Sequence, residues 1–186
     1  MKRRVLGSAV LGLGAALVLA GCGAGQITQT NTMLPAVNGA LGEAGKLALR
    51  NVSLANTENC QQAYPAGSDA PLKLVVANGG PKDDELVSVG SPIAASGAVQ
   101  GQQTIVAGST LVVGVTNGAT ASQAADTRIG HATATLRGLK SAIWPGQLTP
   151  VTFTFRDAGA VTLEVPIAAP TKTLSCNEAQ PAGTSH

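Results

Sequence analysis

Aromatic and charged side chains are scarce in this chain of 186 residues, where they make up 2% and 12% of the positions. The aromatic residues are Tyr64, Trp144, Phe153 and Phe155. Four aromatics are too few for a platform on which nucleic-acid bases stack. The formal net charge is only +2, and three of the twelve cations are residues 2–4. Because a nucleic-acid binder typically has a strongly basic surface, the composition argues against nucleic acid as a partner.

Histidine and the common catalytic motifs are also scarce. The chain has two histidines, and His186 is its final residue, so a Ser-His-Asp triad would depend on His131 alone. The motifs G-x-S-x-G, H-E-x-x-H, C-x-x-C and the Walker loop do not occur. We therefore expect no enzyme, no catalytic residue and no cofactor.

The first 21 residues have the organisation of an export signal. The cations at positions 2–4 precede an uncharged apolar stretch, residues 5–20, which is too short for a comfortable membrane span but suits a signal peptide. The segment Leu19-Ala20-Gly21-Cys22 resembles the bacterial lipobox, in which the cysteine is acylated and the signal is cut before it. The alternative is an ordinary secretory signal that happens to end near a cysteine. Lipidation of Cys22 by two or three acyl chains would hold the protein stably at a bilayer.

Composition divides the rest of the chain into three parts. Residues 22–45 are rich in Gly, Thr, Gln and Asn and are expected to form a lipidated flexible tether. Residues 46–174 form the expected folded domain, and residues 175–186 a polar C-terminal tail. With lipid on Cys22, this organisation predicts an exported protein anchored to the outer face of the cell membrane.

Alternating hydrophobic residues predict strands throughout the body of the chain. The clearest case is residues 151–156 followed by 161–167, which together predict a hairpin with one buried face and an edge strand at Pro166. Further strands are predicted around residues 72–76 and at 47–54, 86–89, 104–106, 111–115 and 132–136. About eight short strands without an amphipathic helix indicate an all-β fold. We expect an antiparallel Greek-key sandwich, cupredoxin-like or Ig-like.

Two cysteines remain after Cys22 is assigned to lipid. Cys60 follows the first predicted strand and Cys176 follows the last. Because an exported domain meets oxidising conditions, we expect a disulfide between them that joins the two ends of the sandwich. Two unpaired thiols are the alternative.

Three consecutive acidic residues, Asp83, Asp84 and Glu85, form the one run of carboxylates in the chain. Such a run can bind a hard cation, but in a loop it is more often a solvated turn. We therefore expect a solvated turn here and no metal site.

Several short segments resemble the periplasmic PCuAC-type copper chaperones, the DUF461 family. Residues 84–92, preceded by Asn78, are similar to its D-x-L-V-x-V-x-S-P block, and residues 105–113 to its I-P-A-G hairpin. Residues 138–140, Gly146 and 151–159 resemble its G-L-K…G…L-x-F-x-x-A-G ending. With the lipobox and the tether, the chain looks most like the LpqE-type lipoproteins of actinobacteria. The resemblance spans roughly residues 47–168.

The copper ligands that the resemblance implies are missing. The family's H-x-M pair falls on Thr133 and Thr135, and its upstream ligand region, residues 94–103, has neither His nor Met. Cu(I) prefers thioether, thiolate and imidazole ligands, which a hydroxyl does not replace. His131 is two residues before Thr133 and should share its strand face, which makes it a weak candidate ligand. Met33 is the one methionine besides Met1, and it lies in the predicted tether.

Two functions remain open from the sequence. The favoured one is a non-catalytic, membrane-anchored lipoprotein whose sandwich binds an envelope protein or ligand. The alternative is a copper-handling metallochaperone with a non-standard site around His131. The two functions differ in the ligands they require, because only copper handling needs several thioether, thiolate or imidazole ligands.

Overall fold

A computed structural model describes residues 39–114 and 128–176. Over these ranges the chain forms ten strands and no helix. The strands are β1 (Ala40–Ala44), β2 (Leu47–Leu54), β3 (Ala70–Asn78), β4 (Asp84–Gly90), β5 (Ala94–Gly101), β6 (Thr104–Ile105), β7 (Thr110–Val113), β8 (Ile129–Leu139), β9 (Leu148–Phe155) and β10 (Gly159–Pro166). The described part of the chain offers no helical segment with the length and apolar content of a membrane span.

Hydrophobic residues at every second position explain the central strands. In β3 each alternate residue from Ala70 to Asn78 is buried, and β9 repeats the pattern through Val151, Phe153 and Phe155. Side chains of successive strand residues point to opposite faces of a sheet, so this spacing places one face of each strand in the core.

The strands form two sheets. One has six strands in the order β1-β2-β3-β7-β8-β5, and the other has four in the order β10-β9-β4-β6. All pairings are antiparallel except β7 with β8. Buried side chains of both sheets form one hydrophobic core, with Phe153 and Phe155 the largest. The predicted antiparallel β-sandwich is confirmed, as is the hairpin, in which Val161 pairs with Phe153.

Two strands were not predicted. Ala40–Ala44, which lies within the predicted tether, forms β1 and pairs with β2. Gly42 faces Leu163 of β10 so closely that an added Cβ would lie 2.5 Å from that side chain. A small-residue segment gives little periodic signal, yet its lack of side chains is what lets it lie against its neighbours.

Strand β5 was missed for the same reason. Its sequence, AASGAVQG, has one large apolar residue. At Gly97 an added Cβ would lie 1.8 Å from the carbonyl oxygen of Val89, so β5 crosses β4 at backbone contact distance. The strand is selected by this close approach and by its pairing with β8, not by hydrophobic alternation.

The strand registers define two opposite ends of the sandwich. At the first, which we call the Trp144 end, Ala40 pairs with Val52, Ala94 with Leu139 and Leu148 with Pro166. The 140–147 connection lies there. At the other, the Asp84 end, are the β1–β2 turn, the loop after Asn78 and the β9–β10 turn.

Candidate functional site

The face of β8 that the resemblance associates with copper is exposed. His131 and Thr133 are solvent-accessible and Thr135 is half-buried, whereas Ala132, Ala134 and Leu136 between them point into the core. The expectation that His131 shares a strand face with Thr133 is therefore confirmed.

Strand β5 completes this face. The antiparallel register places Gln100 opposite Thr133 and Ala98 opposite Thr135. Directly opposed residues have Cβ atoms about 5 Å apart, so their side chains can act on one ligand. The two segments from which the family draws its copper ligands thus lie side by side. We call this surface, formed by Ala98, Gln100, His131, Thr133 and Thr135, the β5–β8 face.

The chemistry of the β5–β8 face differs from that of a copper site. It offers two hydroxyls, one carboxamide and one imidazole, and no sulfur ligand. Within residues 39–114 and 128–176, no group of three or more His, Cys, Asp or Glu side chains could hold a metal ion. Met33 lies outside the described residues. The face is suited to hydrogen bonding, and its donors do not fit Cu(I).

The acidic run has a structural role. Asp84 is 6% exposed, and its carboxylate accepts hydrogen bonds from the backbone amides of Glu85 at 2.7 Å, Asp157 at 3.0 Å and Ala158 at 2.9 Å. The expected solvated turn is therefore wrong at Asp84. The carboxylate is buried because it supplies acceptors for the β9–β10 turn, whose amides have no strand partner.

The neighbouring carboxylates are engaged as well. Asp83 accepts a hydrogen bond from the amide of Ala107 at 2.8 Å, and Glu85 forms an ion pair with Arg156 at 2.8 Å. Asp84 and Glu85 therefore both hold the β9–β10 turn, and Asp83 holds the loop after β6. The three carboxylates thus act as acceptors for the backbone and as an ion-pair partner within the domain.

The charge state of Asp84 follows from these contacts. Burial raises the pKa of the carboxyl, but its three amide hydrogen bonds lower the pKa by more. The positive charge of Arg156 lowers it further, so the pKa of Asp84 lies below its ordinary value. The carboxylate is ionised at neutral pH and acts as a fixed acceptor.

Other residues of the recognised motif also make structural contacts. The side-chain nitrogen of Asn78 donates to the carbonyl oxygens of Lys82 and Ile105, and its side-chain oxygen accepts from the backbone amide of Gly80. Ser91 donates to the carbonyl oxygen of Pro150 at 2.7 Å. The motif that identifies the family thus specifies loops and not the β5–β8 face.

The predicted disulfide is present in the structure and joins Cys60 to Cys176. The segment before Cys176 also follows β2, because the amide of Ala168 donates to the carbonyl of Leu54 at 2.8 Å. Residues 175 and 176 therefore belong to the folded domain and not to the predicted tail. The rest of that tail, residues 177–186, lies outside the described residues.

The predicted anchor at the other terminus also falls outside them. Cys22, the signal peptide and residues 22–38 of the tether are not among the described residues, so lipidation of Cys22 stays a prediction.

Comparison with solved structures defines the class of fold. The apo PCuAC domain from PmoF1 matches with a TM-score of 0.52 and 20% identity over 70% of this chain and 100% of that domain. The copper-bound PCuAC domain from PmoF2 matches with a TM-score of 0.51 and 19% identity, over 70% of this chain and 99% of that domain. At this level of identity the likeness concerns the fold: the sandwich is a PCuAC-like domain.

Sequence comparison defines the family. Residues 47–167 match the family model described as "Putative lipoprotein LpqE-like". The LpqE protein of Mycobacterium leprae (strain TN) is 36% identical over 159 residues, covering 83% of each chain. That of Mycobacterium tuberculosis (strain ATCC 25618 / H37Rv) is 34% identical over 155 residues, covering 83% of this chain and 84% of the other. The chain belongs to the LpqE-like lipoprotein family, as its motifs indicated.

Proposed function

We propose that the mature protein is a cell-envelope lipoprotein, anchored through acyl chains on Cys22, whose PCuAC-like sandwich is a non-catalytic binding module. The observation that supports this most is the composition of the β5–β8 face. The fold places the two ligand segments together, but the donors there are hydroxyl, carboxamide and imidazole.

The β5–β8 face suits a partner that is recognised by hydrogen bonds. Thr133 and Gln100 lie opposite each other and are both exposed, so their polar groups are available to a protein surface or to a polar ligand. A typical protein–protein interface contains about ten direct hydrogen bonds, so exposed polar side chains of this kind are ordinary contact residues. An envelope protein or ligand is therefore the proposed partner.

Copper handling around His131 is the second candidate. Its support is that His131 is exposed on the same face as Thr133 and Thr135. Cys60 and Cys176 cannot contribute thiolates, because they form the disulfide. The site would need further soft ligands from outside the described residues, and Met33 is the candidate in the sequence.

The anchoring half of the proposal is tested by intact-mass and membrane-fractionation measurements on native protein. The Cys22→Ser variant should lose acylation and remain uncleaved by the lipoprotein signal peptidase. The Cys60→Ser variant removes another cysteine and should still be acylated and cleaved. Native protein with an unmodified Cys22 would contradict the proposal.

The binding half is tested by crosslinking in the native membrane. Thr133→Lys places a charge in the middle of the β5–β8 face, whereas Thr162→Lys places the same charge on an exposed position of β10 in the other sheet. A partner that is crosslinked by the wild type and the Thr162 variant but lost from the Thr133 variant supports the proposed face. Equal capture by both variants would contradict it.

A further inference from the structure

The single tryptophan of the chain is exposed on a hydrogen-bonded turn. Trp144 is 54% exposed, although tryptophan is among the most strongly buried side chains on average. The turn Trp144-Pro145-Gly146-Gln147 is closed by a hydrogen bond from the Gln147 amide to the Trp144 carbonyl at 3.1 Å. Pro145 at the second position and Gly146, with φ of 83°, at the third are the residues of a type II turn. The indole is thus presented by a built structural element.

The turn is also locked by a side chain. Gln147 accepts a hydrogen bond from the amide of Trp144 at 2.8 Å through its side-chain oxygen. Both backbone groups of Trp144 are thus engaged by Gln147, which fixes the backbone of the turn. Trp144 is thus exposed on a well-defined turn at this end of the sandwich.

A second large apolar side chain is exposed at the same end of the sandwich. Leu148, the first residue of β9, is 59% exposed, the highest value among the exposed large hydrophobic residues of the described ranges. Next to it is an open groove of about 320 Å³ whose lining includes Ile93, Ala142 and Pro150. Leu148 lines this groove, and Trp144 lies four residues before it in the chain; we call Trp144, Leu148 and the groove together the Trp144 patch.

The place where the chain enters the domain indicates what covers the Trp144 patch. Ala40, the first residue of β1, lies at the Trp144 end. Sixteen residues separate Cys22 from Gly39, and n residues span at most about 3.5 Å each, so this segment reaches at most roughly 55 Å. The segment that follows an acylated Cys22 therefore enters the domain at the end that carries the Trp144 patch, and this is the end that meets the bilayer with the segment least extended.

The charged groups at this end have both signs. Lys140 donates to the carbonyl of Pro92 at 2.9 Å, and Asp69 accepts from the amide of Gly138 at 2.9 Å. Neither sign predominates, so a strongly charged partner surface would gain little here. Tryptophan, by contrast, is enriched at membrane–water interfaces because its ring is apolar and its N–H is polar.

We propose that the Trp144 patch is the membrane-facing surface of the domain, with Trp144 and Leu148 in the headgroup region of the bilayer that holds the Cys22 anchor. This inference rests on the proposed lipidation of Cys22. The strands run from one end of the sandwich to the other, and β3 covers about 27 Å at 3.3 Å per residue. With the Trp144 end on the bilayer, the strands therefore stand steeply to the membrane. The Asp84 end then points away from the bilayer. The β5–β8 face lies on the side of the sandwich between the two ends and is accessible to a partner.

The single tryptophan makes the test direct. Full-length lipidated protein is reconstituted in vesicles of phosphatidylcholine and phosphatidylglycerol, with and without brominated acyl chains, and its indole fluorescence is recorded. We expect a blue-shifted emission and a loss of fluorescence with the brominated lipid, because an interfacial indole lies at the level of the headgroups. Leu148→Ser should weaken the quenching.

A relocated tryptophan supplies the matched control. Val106 is 40% exposed at the Asp84 end, and the double variant Trp144→Phe, Val106→Trp moves the indole there. That variant should show no quenching. Vesicle flotation without quenching of Trp144, or equal quenching at both positions, would overturn the proposed orientation and leave the anchor intact. Failure to float would overturn the anchor, and the orientation with it.

Discussion

Replacing Asp84 should loosen the Asp84 end of the sandwich. Asp84→Ala removes the acceptor for the amides of Asp157 and Ala158, at 3.0 and 2.9 Å, which belong to the β9–β10 turn. A hydrogen bond to a charged group contributes about 1.5–3 kcal/mol. Since the turn can recover part of this from water, we expect the free energy of unfolding to fall by about 3 kcal/mol.

The pH dependence separates a carboxylate effect from a packing effect. The pKa of Asp84 is lowered in the folded state, so its contribution is fully present above the unfolded value of about 4 and is lost as pH falls through the folded value. Asp84→Asn keeps the shape of the side chain. Its stability deficit should therefore be largest at neutral pH and shrink below pH ~4.

Urea unfolding of the disulfide-bonded domain at several pH values is the assay. Asp83→Asn is the control, because Asp83 has one amide partner and is exposed; it should cost less than about 1 kcal/mol. An Asp84→Ala variant within about 0.5 kcal/mol of wild type, or a deficit that does not change with pH, would refute the assigned role.

Three further predictions concern the framework of the domain. Replacing Cys60 and Cys176 by Ala should lower the free energy of unfolding by about 2–5 kcal/mol, because the bond closes a loop of 116 residues; reduction of the wild type should have the same effect in the same unfolding assay. Gly97→Ala should cost about 3 kcal/mol or more in chemical denaturation, because its Cβ would overlap a carbonyl of β4, whereas Gly90→Ala, with no atom within 4 Å of the new Cβ, should be nearly neutral. Tyr64→Phe should cost about 1 kcal/mol through loss of its buried hydrogen bond. Burial raises the pKa of Tyr64 to about 12, so the contribution of its neutral hydroxyl to stability is present below pH ~10 and is lost as the pH rises toward 12. Unfolding of the wild type and of Tyr64→Phe at alkaline pH measures this loss.

The sandwich was predictable where strands bury large side chains. Leu72, Leu74 and Val76 alternate in β3, as do Val151, Phe153 and Phe155 in β9, and both strands lie where the sequence placed them. The pattern predicts such strands because one face must leave water. The same logic fails for β1 and β5, whose small residues bury little surface.

The role of Asp84 was not predictable from composition. Three adjacent carboxylates resemble a solvated turn, and only the fold shows that the turn at Asp157 comes within 3.0 Å of Asp84 across 73 residues. One signal was available in the sequence. Asp84 begins the D-x-L-V-x-V-x-S-P block, and in this chain that block specifies loop geometry.

The position of the candidate site on β8 could be predicted from the family motif, because the positions of the family's copper ligands can be located even where the ligands are absent. The resemblance assigned the ligand positions to Thr133 and Thr135, and the structure adds that residues 98 and 100 lie directly opposite them. That pairing depends on the register of β5, which the sequence did not reveal. The exposure of Trp144 was equally hidden, because an isolated tryptophan beside a proline is as compatible with a core position as with a surface turn.

A competitive Cu(I) titration against a chelator, on the disulfide-bonded mature protein, tests the central claim most directly. A buried Cu(I) site needs two to four soft donors, and the β5–β8 face supplies one imidazole, at His131. We predict that the protein does not take Cu(I) from the chelator and that His131→Ala leaves the titration unchanged. Tight one-to-one binding that His131→Ala abolishes would contradict the account and establish the metallochaperone instead.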